Sequence, residues 1–258
     1  AYEWIRIHHG HSFGLSYHTD RLYRSMRLLG IRPVTAPDEF TEIVEVVVEE
    51  SEIEEGYVKI IVTRGSDDHN FTIPARSALQ PNVLVYGKPI DLNAIEKVQS
   101  GVNCITLDDD RGHHCDILSL NQLNNMMARA EAQKKNCYDA VFIKDGLLTE
   151  ASHSNVCIVK AGVIWTPATN EHMIRGVTRS LVLTRAAPSA GVTSIDEASE
   201  PVRFEDMMTA EEVFLTNSQD GIIPVLSIDG NPIGGGKVGD VTKKIQEHYA
   251  HLMEDGLP

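Results

Sequence analysis

The sequence predicts an α/β protein of two lobes, and three observations lead to this fold class. The chain has 258 residues, which suits one two-lobed unit or two modest domains. Apolar runs with strand character alternate with segments of helical periodicity. Gly87-Lys88-Pro89 is a loop signal that separates two parts of the chain. We therefore expect a small N-terminal lobe over residues 1–88 and a larger C-terminal lobe over residues 89–258.

The N-terminal lobe is predicted to combine an antiparallel sheet with two helices. A first hairpin turns at His9-Gly10, and the helix that follows ends at Gly30. The second helix, over residues 37–51, is acidic on its outer face. Its predicted inward positions are Phe40, Ile43, Val44, Val47 and Val48. Strands over residues 57–63 and 83–86 complete this lobe.

The C-terminal lobe alternates strands with helices. A helix over residues 121–135 has an apolar stripe, which we interpret as core. The stripe consists of Leu123, Met126, Met127 and Ala130. Asp145-Gly146 is a hairpin turn signal, and Val156-Cys157-Ile158-Val159 follows as a short apolar strand. The last helix, over residues 241–253, closes the chain.

Composition excludes several classes of function. A formal charge of −14 argues against a nucleic-acid or anionic-membrane partner, because phosphate contacts need clustered Lys and Arg. No apolar run approaches ~18 residues, so no membrane span is expected. The four cysteines show no paired spacing, and no signal peptide is recognisable. These features favour a reduced, cytoplasmic setting.

A cluster of imidazoles and a thiol suggests a zinc site at first sight. It is formed by His113, His114 and Cys115, which are consecutive in the sequence. Tetrahedral zinc sites usually need separated ligands, as in Cys-x2-Cys or His-x3-His. We therefore predict no metal site.

The most informative stretch runs from Asp145 to Val156. It places one carboxylate, Glu150, beside Ser152, Ser154 and Asn155 at the mouth of a strand. Further on, Gly176-Val177-Thr178 opens a helical pattern, which offers an anion site at a helix N-terminus. A carboxylate that can pair with a heterocyclic N–H, near a phosphate seat, is what a pyridoxal phosphate site requires.

Motifs in the same order identify a family resemblance that covers nearly the whole chain. They are Tyr2-Glu3, His18-Thr19-Asp20-Arg21-Leu22-Tyr23, Val62-Thr63-Arg64-Gly65, Cys115-Asp116-Ile117, Ser119-Leu120-Asn121, the Glu150 stretch, Gly176-Val177-Thr178-Arg179 and Gly236-Lys237-Val238-Gly239. The chain resembles the class IV aminotransferases, which are fold type IV pyridoxal phosphate enzymes, and among them the D-amino acid aminotransferases. The resemblance implies a β-barrel-like larger lobe, a site between the lobes and a homodimer. It also implies that the N-terminal hairpin of the family is missing before Ala1.

The resemblance also implies the roles of individual residues. Glu150 keeps the pyridine nitrogen of the cofactor protonated, and Tyr2 is an active-site tyrosine near cofactor or substrate. The implied phosphate anchors are Arg21, Val177, Thr178 and Ser218. Ser154 and Asn155 complete the cofactor site, and Gln219 contacts substrate. Without the resemblance, a surface ion pair of Arg21 with Asp20 or Glu3 is the default interpretation.

Two departures from the family pattern matter. Leu118 occupies the position of the lysine that holds the cofactor, so pyridoxal phosphate is expected to bind noncovalently. In the loop over residues 64–74, His69 and Phe71 replace an arginine and a histidine that bind the substrate carboxylate. An imidazole binds a carboxylate less firmly than a bidentate guanidinium, so a preference for D-amino acids is not assured.

The resulting hypothesis is amino-group transfer between an amino acid, D-amino-acid-like or branched-chain-like, and a 2-oxo acid, impaired by Leu118. Three explanations of Leu118 remain open: an engineered substitution, a natural noncatalytic member that binds the cofactor or an amine adduct, or the use of another base. Lys144 and Lys160 are the nearest lysines to the Glu150 strands, and both are expected to face water beside hairpin turns. A lyase acting on an aminated chorismate is a further alternative.

Overall fold

A computed structural model of the chain describes residues 1–66, 79–192, 194–197 and 201–257. These residues form two compact units. The first comprises Ala1–Ile90, Ile117–Asn121 and the C-terminal residues from Gly256, and the second comprises Asp91–Asp116 and Gln122–Asp255. Unlike the predicted division after residue 88, this grouping places Ile117–Asn121, and with it Leu118, in the first unit.

The first unit is a four-stranded antiparallel sheet with two helices. Its elements are β1 (Tyr2–His8), β2 (His11–Ser12), α1 (Leu15–Leu28), α2 (Pro37–Glu50), β3 (Gly56–Thr63) and β4 (Asn82–Pro89). The strand order is β2-β1-β3-β4. The predicted turn joins β1 to β2, because His9 and Gly10 both have positive φ, 48° and 76°, as a two-residue hairpin loop requires.

Alternation along the strands separates the two faces of this sheet. Val58, Ile60 and Val62 are fully buried in the core of the first unit, whereas Tyr57, Lys59 and Ile61 between them are only partly buried. The helix α2 contributes Phe40, Val44 and Val48 to the same core. The expectation for Ile43 was wrong, since its side chain is 44% exposed. Its position falls outside the narrower i, i+4, i+8 stripe that the sheet covers.

The second unit is built on a nine-stranded mixed sheet. Its strands are β5 (Val102–Asp108), β6 (Asp139–Lys144), β7 (Leu147–Ala151), β8 (Asn155–Lys160), β9 (Val163–Trp165), β10 (Ile195–Asp196), β11 (Glu212–Asn217), β12 (Gly221–Ile228) and β13 (Asn231–Pro232). The order is β10-β9-β8-β11-β12-β5-β6-β7, and β13 pairs with β12. The predicted α/β class is confirmed.

Six helices and one π-helical turn accompany this sheet among the described residues. They are α3 (Leu92–Gln99), α4 (Leu123–Lys134), α5 (Val177–Leu181), the π turn (Val182–Ala186), α6 (Ala187–Ser189), α7 (Phe204–Met208) and α8 (Asp240–Asp255). No helix of the described residues is long and apolar enough to cross a membrane.

The predicted core stripe of α4 was wrong. Leu123, Met126 and Met127 are 69%, 68% and 61% exposed. The buried residues of α4 are instead Ala128 and Ala132, which pack in a cluster with β5 and β6. Small side chains let the helix approach the sheet closely, and the long apolar side chains are left on the outer face.

The predicted hairpin turn at Asp145-Gly146 is confirmed and positions Glu150. Asp145 and Gly146 have φ of 52° and 77°, and they join β6 directly to β7. Glu150 lies on β7, and Asn155 is the first residue of β8.

Candidate active site

Glu150 is a buried carboxylate whose two oxygens both accept hydrogen bonds. Its side chain is almost fully buried, and Oε1 accepts a hydrogen bond from Arg111 Nη1 at 2.5 Å. Oε2 accepts one from the backbone N–H of Ile174 at 2.9 Å and one from Asn155 Nδ2 at 3.3 Å. Three donors therefore fix the orientation of this carboxylate within the second unit.

Arg111 is shared by two carboxylates, and Asp109 holds it more completely than Glu150 does. Arg111 donates to Asp109 from Nε at 2.9 Å and from Nη2 at 2.8 Å, a bidentate pair. Thr149 Oγ1 also donates to Asp109, at 2.9 Å. The guanidinium carbon lies 4.2 Å from the ring centroid of Phe142, so the pair is packed against an aromatic side chain.

The pKa shifts of this cluster follow from one guanidinium facing two acids. Against the effect of burial, the hydrogen bonds and charge of Arg111 hold the pKa of Asp109 below its ordinary value. For Glu150 burial prevails over the attraction of Arg111 and raises the pKa to about 7. Of the three groups, Glu150 is therefore the surplus negative charge, and it favours a proton or a cationic partner.

Removing the charge of Glu150 is expected to change how stability depends on pH. Because its native pKa lies above the ordinary 4.5, the folded protein binds more protons between pH 4.5 and about 7. The free energy of unfolding contributed by Glu150 therefore falls by up to about 3 kcal/mol as the pH rises through this window. Denaturant unfolding of the wild type and of Glu150→Gln at pH 5 and pH 8 measures it. Parallel pH profiles of the two proteins would contradict the assignment.

Asn155 ties Glu150 to the segment before α5. Its Nδ2 donates to the carbonyl of Ile174 at 2.8 Å as well as to Glu150. Gly176 lies so close that an added Cβ would be 2.1 Å from Asn155 Oδ1. A side chain at this position would displace the Asn155 amide, so glycine lets the start of α5 approach the Glu150 strand pair.

The predicted phosphate anchors of the second unit lie at the start of α5 and after β11. Thr178 is buried, and its Oγ1 accepts a hydrogen bond from Tyr249 Oη at 3.3 Å. Val177 is the first residue of α5. Ser218 is half-buried in the turn after β11. The neighbouring Asn217 donates from Nδ2 to Ser154 Oγ at 3.1 Å, which connects the predicted residue Ser154 to this turn.

The turn after β11 also carries the predicted residue Gln219. Asn217 Oδ1 accepts the backbone N–H of Gln219 at 3.0 Å and that of Asp220 at 2.7 Å. One asparagine side chain therefore organises the turn. Thr216 Oγ1, on β11 beside Asn155, is buried without a hydrogen-bond partner in the part of the chain that the structure describes.

In the first unit, Arg21 forms the predicted ion pair with Glu3, but not on the surface, because Glu3 is fully buried and the Arg21 side chain is only 13% exposed. Arg21 donates to Glu3 from Nε at 2.8 Å and from Nη2 at 2.7 Å. His18 Nδ1 lies 2.8 Å from the same carboxylate. The bidentate pair fixes the plane of the guanidinium, and Arg21 lies in the middle of α1 rather than at its start. A cofactor role of Arg21 stays a prediction.

Leu118 is held beside the predicted tyrosine. The backbone N–H of Tyr2 donates to the carbonyl of Leu118 at 3.1 Å, within the first unit. Both side chains are partly buried. The other two predicted substrate residues, His69 and Phe71, lie outside the described residues.

Both alternative lysines lie beside hairpin turns as predicted, although Lys144 is partly buried rather than fully exposed to water. Lys160 is 42% exposed, and its Nζ pairs with Asp206 at 2.9 Å. Lys144 directly precedes the Asp145-Gly146 turn.

The side chains near His113 come from a distant segment of the chain, which contains Glu171 and His172. His113 Nδ1 lies 3.3 Å from Glu171 Oε1, and the rings of His113 and His172 are 5.7 Å apart. A second group of potential metal ligands comprises His8, His9 and Glu55. The argument from sequence spacing overlooked both groups because their members come from separate segments. The absence of a metal site stays a prediction.

Sequence reasoning also missed Arg111 and Asp109. They follow β5, whereas Glu150 lies on β7, and no local spacing connects them. The available signal was physical: a carboxylate predicted to be buried needs a cationic or hydrogen-bonding partner.

Comparison with known proteins decides the family. Residues 1–228 match the family model described as amino-transferase class IV. The chain belongs to the class IV aminotransferase family. These enzymes use pyridoxal 5′-phosphate, and their family reaction implies amino acid and 2-oxo acid substrates.

Individual relatives of this class IV aminotransferase support the same conclusion. A D-alanine aminotransferase of Bacillus licheniformis is 37% identical over 246 residues, 95% of this chain and 84% of the relative. A branched-chain aminotransferase structure from Thermoproteus uzoniensis has a TM-score of 0.85 and 26% identity, covering 97% of this chain and 84% of that one. A putative 4-amino-4-deoxychorismate lyase from Legionella pneumophila has a TM-score of 0.85, covering 97% and 90%, but its 21% identity shows only a shared fold.

Proposed function

We propose that the chain binds pyridoxal 5′-phosphate noncovalently and performs an impaired transamination between an amino acid and a 2-oxo acid. The observation that carries this proposal is Glu150, a buried and surplus carboxylate with a raised pKa beside Arg111. A protonated pyridine nitrogen supplies the positive charge and the N–H that this carboxylate favours. The residues of the second unit therefore fit the ring of the cofactor.

The remaining residues have complementary roles in this proposal. Arg21, Val177, Thr178 and Ser218 bind the phosphate, the last three through backbone N–H groups or hydroxyls. Asn155 and Ile174 keep Glu150 directed toward the ring. Tyr2, His69, Phe71 and Gln219 contact the substrate. When bound, pyridoxal phosphate supplies an electron sink for negative charge at the substrate Cα.

Leu118 is the reason for the impairment. In the family the lysine at this position anchors the cofactor and moves the proton between substrate and cofactor. A leucine has neither an amine nor a proton to exchange. Loss of a general base alone costs about 10²–10⁴ in rate, and loss of the covalent anchor adds to this.

The leucine at position 118 also favours a second candidate function, a binding protein that holds the cofactor or an amine adduct without turnover.

Cofactor retention tests the proposal directly. After incubation with pyridoxal phosphate and gel filtration, the wild-type protein is expected to keep a cofactor absorbance band that shifts when an amino acid is added. Glu150→Gln is expected to weaken cofactor binding by about tenfold or more, since a hydrogen bond to a charged group contributes about 1.5–3 kcal/mol. Glu131→Gln, on the exposed side of α4, serves as the matched control and keeps wild-type affinity.

Each unfavourable outcome of this experiment has a distinct meaning. If the wild type retains no cofactor under any condition, both cofactor-dependent functions are wrong. If Glu150→Gln retains the cofactor with unchanged affinity and spectrum, Glu150 is not the partner of the pyridine nitrogen. A retained band without amino-group transfer to a panel of 2-oxo acids identifies the binding function.

We further propose that the protein is a cytoplasmic homodimer. The outer face of α4 supports a self-contact, because Leu123, Met126 and Met127 are all more than 60% exposed. Met126→Glu is expected to shift the protein toward the monomer, since burying an unpaired charge in an interface costs several kcal/mol. Light scattering after size exclusion measures the shift. Gln133→Glu on the same helix is the control, and an unchanged mass for Met126→Glu would remove α4 from the interface.

A further inference from the structure

Lys59 lies on the face of the first unit's sheet that is opposite to its core. Its neighbours along β3, Val58 and Ile60, point into the hydrophobic core, so Lys59 points away from it. The strand register places Lys59 directly opposite Trp4 on β1 and Tyr86 on β4. An ammonium group therefore stands in the middle of an aromatic sheet surface.

The surroundings of Lys59 are aromatic rather than acidic. Its Nζ lies 4.6 Å from the ring centroid of Trp4 and 5.6 Å from that of Tyr2. Tyr57 extends the surface, with its ring centroid 4.2 Å from that of Trp4. Within residues 1–66, 79–192, 194–197 and 201–257, no carboxylate forms a salt bridge with Lys59. Partial burial lowers the pKa of Lys59 below its ordinary value.

Ring faces attract an ammonium group but leave its three N–H donors without strong acceptors. A carboxylate provides such acceptors, and the rings beside it provide an apolar contact surface. The ligand class that fits is therefore a carboxylate joined to an apolar group. Tyr2 belongs to this surface, and its backbone N–H binds the carbonyl of Leu118 within the first unit.

We propose that Lys59, Trp4 and Tyr2 form a subsite for the carboxylate of an amino acid or 2-oxo acid substrate with an apolar side chain. The identification of this ligand as the substrate rests on the proposed function. Lys59 binds the carboxylate through Nζ, and the rings of Trp4 and Tyr57 contact the apolar group. This assignment makes Lys59 a residue for substrate specificity, and no proton transfer or covalent step is assigned to it.

The test uses a ligand that cannot react. The cofactor-free protein, with both units present, is titrated with 4-methylpentanoate and, separately, with 4-methylpentanamide, which has the same shape without the charge. Fluorescence is read in a Trp165→Phe background, where Trp4 is the remaining tryptophan of the two in the chain. The acid is expected to bind about tenfold more tightly than the amide, because only the acid forms a partly desolvated charge pair with Lys59.

Three substitutions locate the charge that recognises the acid. Lys59→Met preserves side-chain length and contact with the rings, and it is expected to abolish the preference for the acid. Lys59→Arg keeps the cation and is expected to retain most of the preference. Lys97→Met removes an exposed lysine from α3 in the second unit and is expected to leave the preference unchanged.

Two results would overturn this assignment: a wild type that binds acid and amide equally, or Lys59→Met with the wild-type preference for the acid. The second result would mean that Lys59 only packs against the aromatic rings. Cofactor retention, measured on the same variants, separates this proposal from the proposed function. If Lys59→Met loses the acid preference and still retains cofactor normally, both the subsite and the proposed function are supported. If the wild type prefers the acid but never retains cofactor, the subsite stands and its connection to transamination is wrong.

Discussion

Leu118→Lys is expected to raise the rate of amino-group transfer by about 10²–10⁴ or more, because it restores both a general base and a covalent anchor. The backbone at this position is already fixed by the hydrogen bond from Tyr2 to the carbonyl of Leu118. The substitution therefore changes the side chain without requiring a new backbone conformation. Single-turnover absorbance changes with D-alanine, branched-chain L-amino acids and aromatic amines measure the rate.

Matched variants separate the amine from simple changes in packing. Leu118→Met has a long side chain without an amine and is expected to stay at the wild-type rate. Leu118→Lys combined with Glu150→Gln is expected to lose much of the gain, because the pyridine partner is then absent. Borohydride reduction followed by peptide mass spectrometry reports covalent attachment to the introduced lysine. A folded Leu118→Lys protein that holds the cofactor and transfers no amino group to any of these partners would contradict a transaminase ancestry for this site.

Features that depend on neighbouring residues were predictable from the sequence. Asp145-Gly146 forms a hairpin turn because both residues adopt positive φ, which is a local preference of Asp-Gly. The family motifs around Glu150 and Gly176 were equally readable, and the fold class followed from the alternation of strand and helix patterns. The conformation of such segments depends on a few consecutive residues, so it can be predicted from a short stretch of sequence.

Features that depend on distant residues were not predictable in the same way. The stripe of Leu123, Met126 and Met127 correctly indicated a helix, but periodicity does not show what covers an apolar face. The sheet covers the alanines of α4 instead. Arg111 lies 39 residues before Glu150 and reaches it only because β6 and β7 fold back beside β5. The cluster of Asp109, Arg111 and Glu150 forms only in the tertiary structure. The one sequence argument that could predict it is that a buried carboxylate needs a compensating partner.

Arg111→Met is expected to destabilise the protein by about 3–5 kcal/mol at pH 8, the cost of leaving buried charges unpaired. It removes the partner of both Asp109 and Glu150, whose carboxylates are almost fully buried. At pH 5 the loss is expected to be smaller, because a buried acid without its cation takes up a proton more readily. Denaturant unfolding at both pH values measures the difference.

A control and a second-site variant make this result specific. Arg129→Met removes an arginine that lies 5.0 Å from the ring of Tyr138, and it is expected to cost about 1 kcal/mol or less. Adding Asp109→Asn to Arg111→Met removes one of the two unpaired acids and is expected to recover part of the loss. An Arg111→Met protein as stable as Arg129→Met would contradict the shared ion pair. If the loss is confirmed and the double variant recovers stability, Glu150 is left as the one buried carboxylate of this cluster. A cationic ring nitrogen should then stabilise this variant more than it stabilises the wild type.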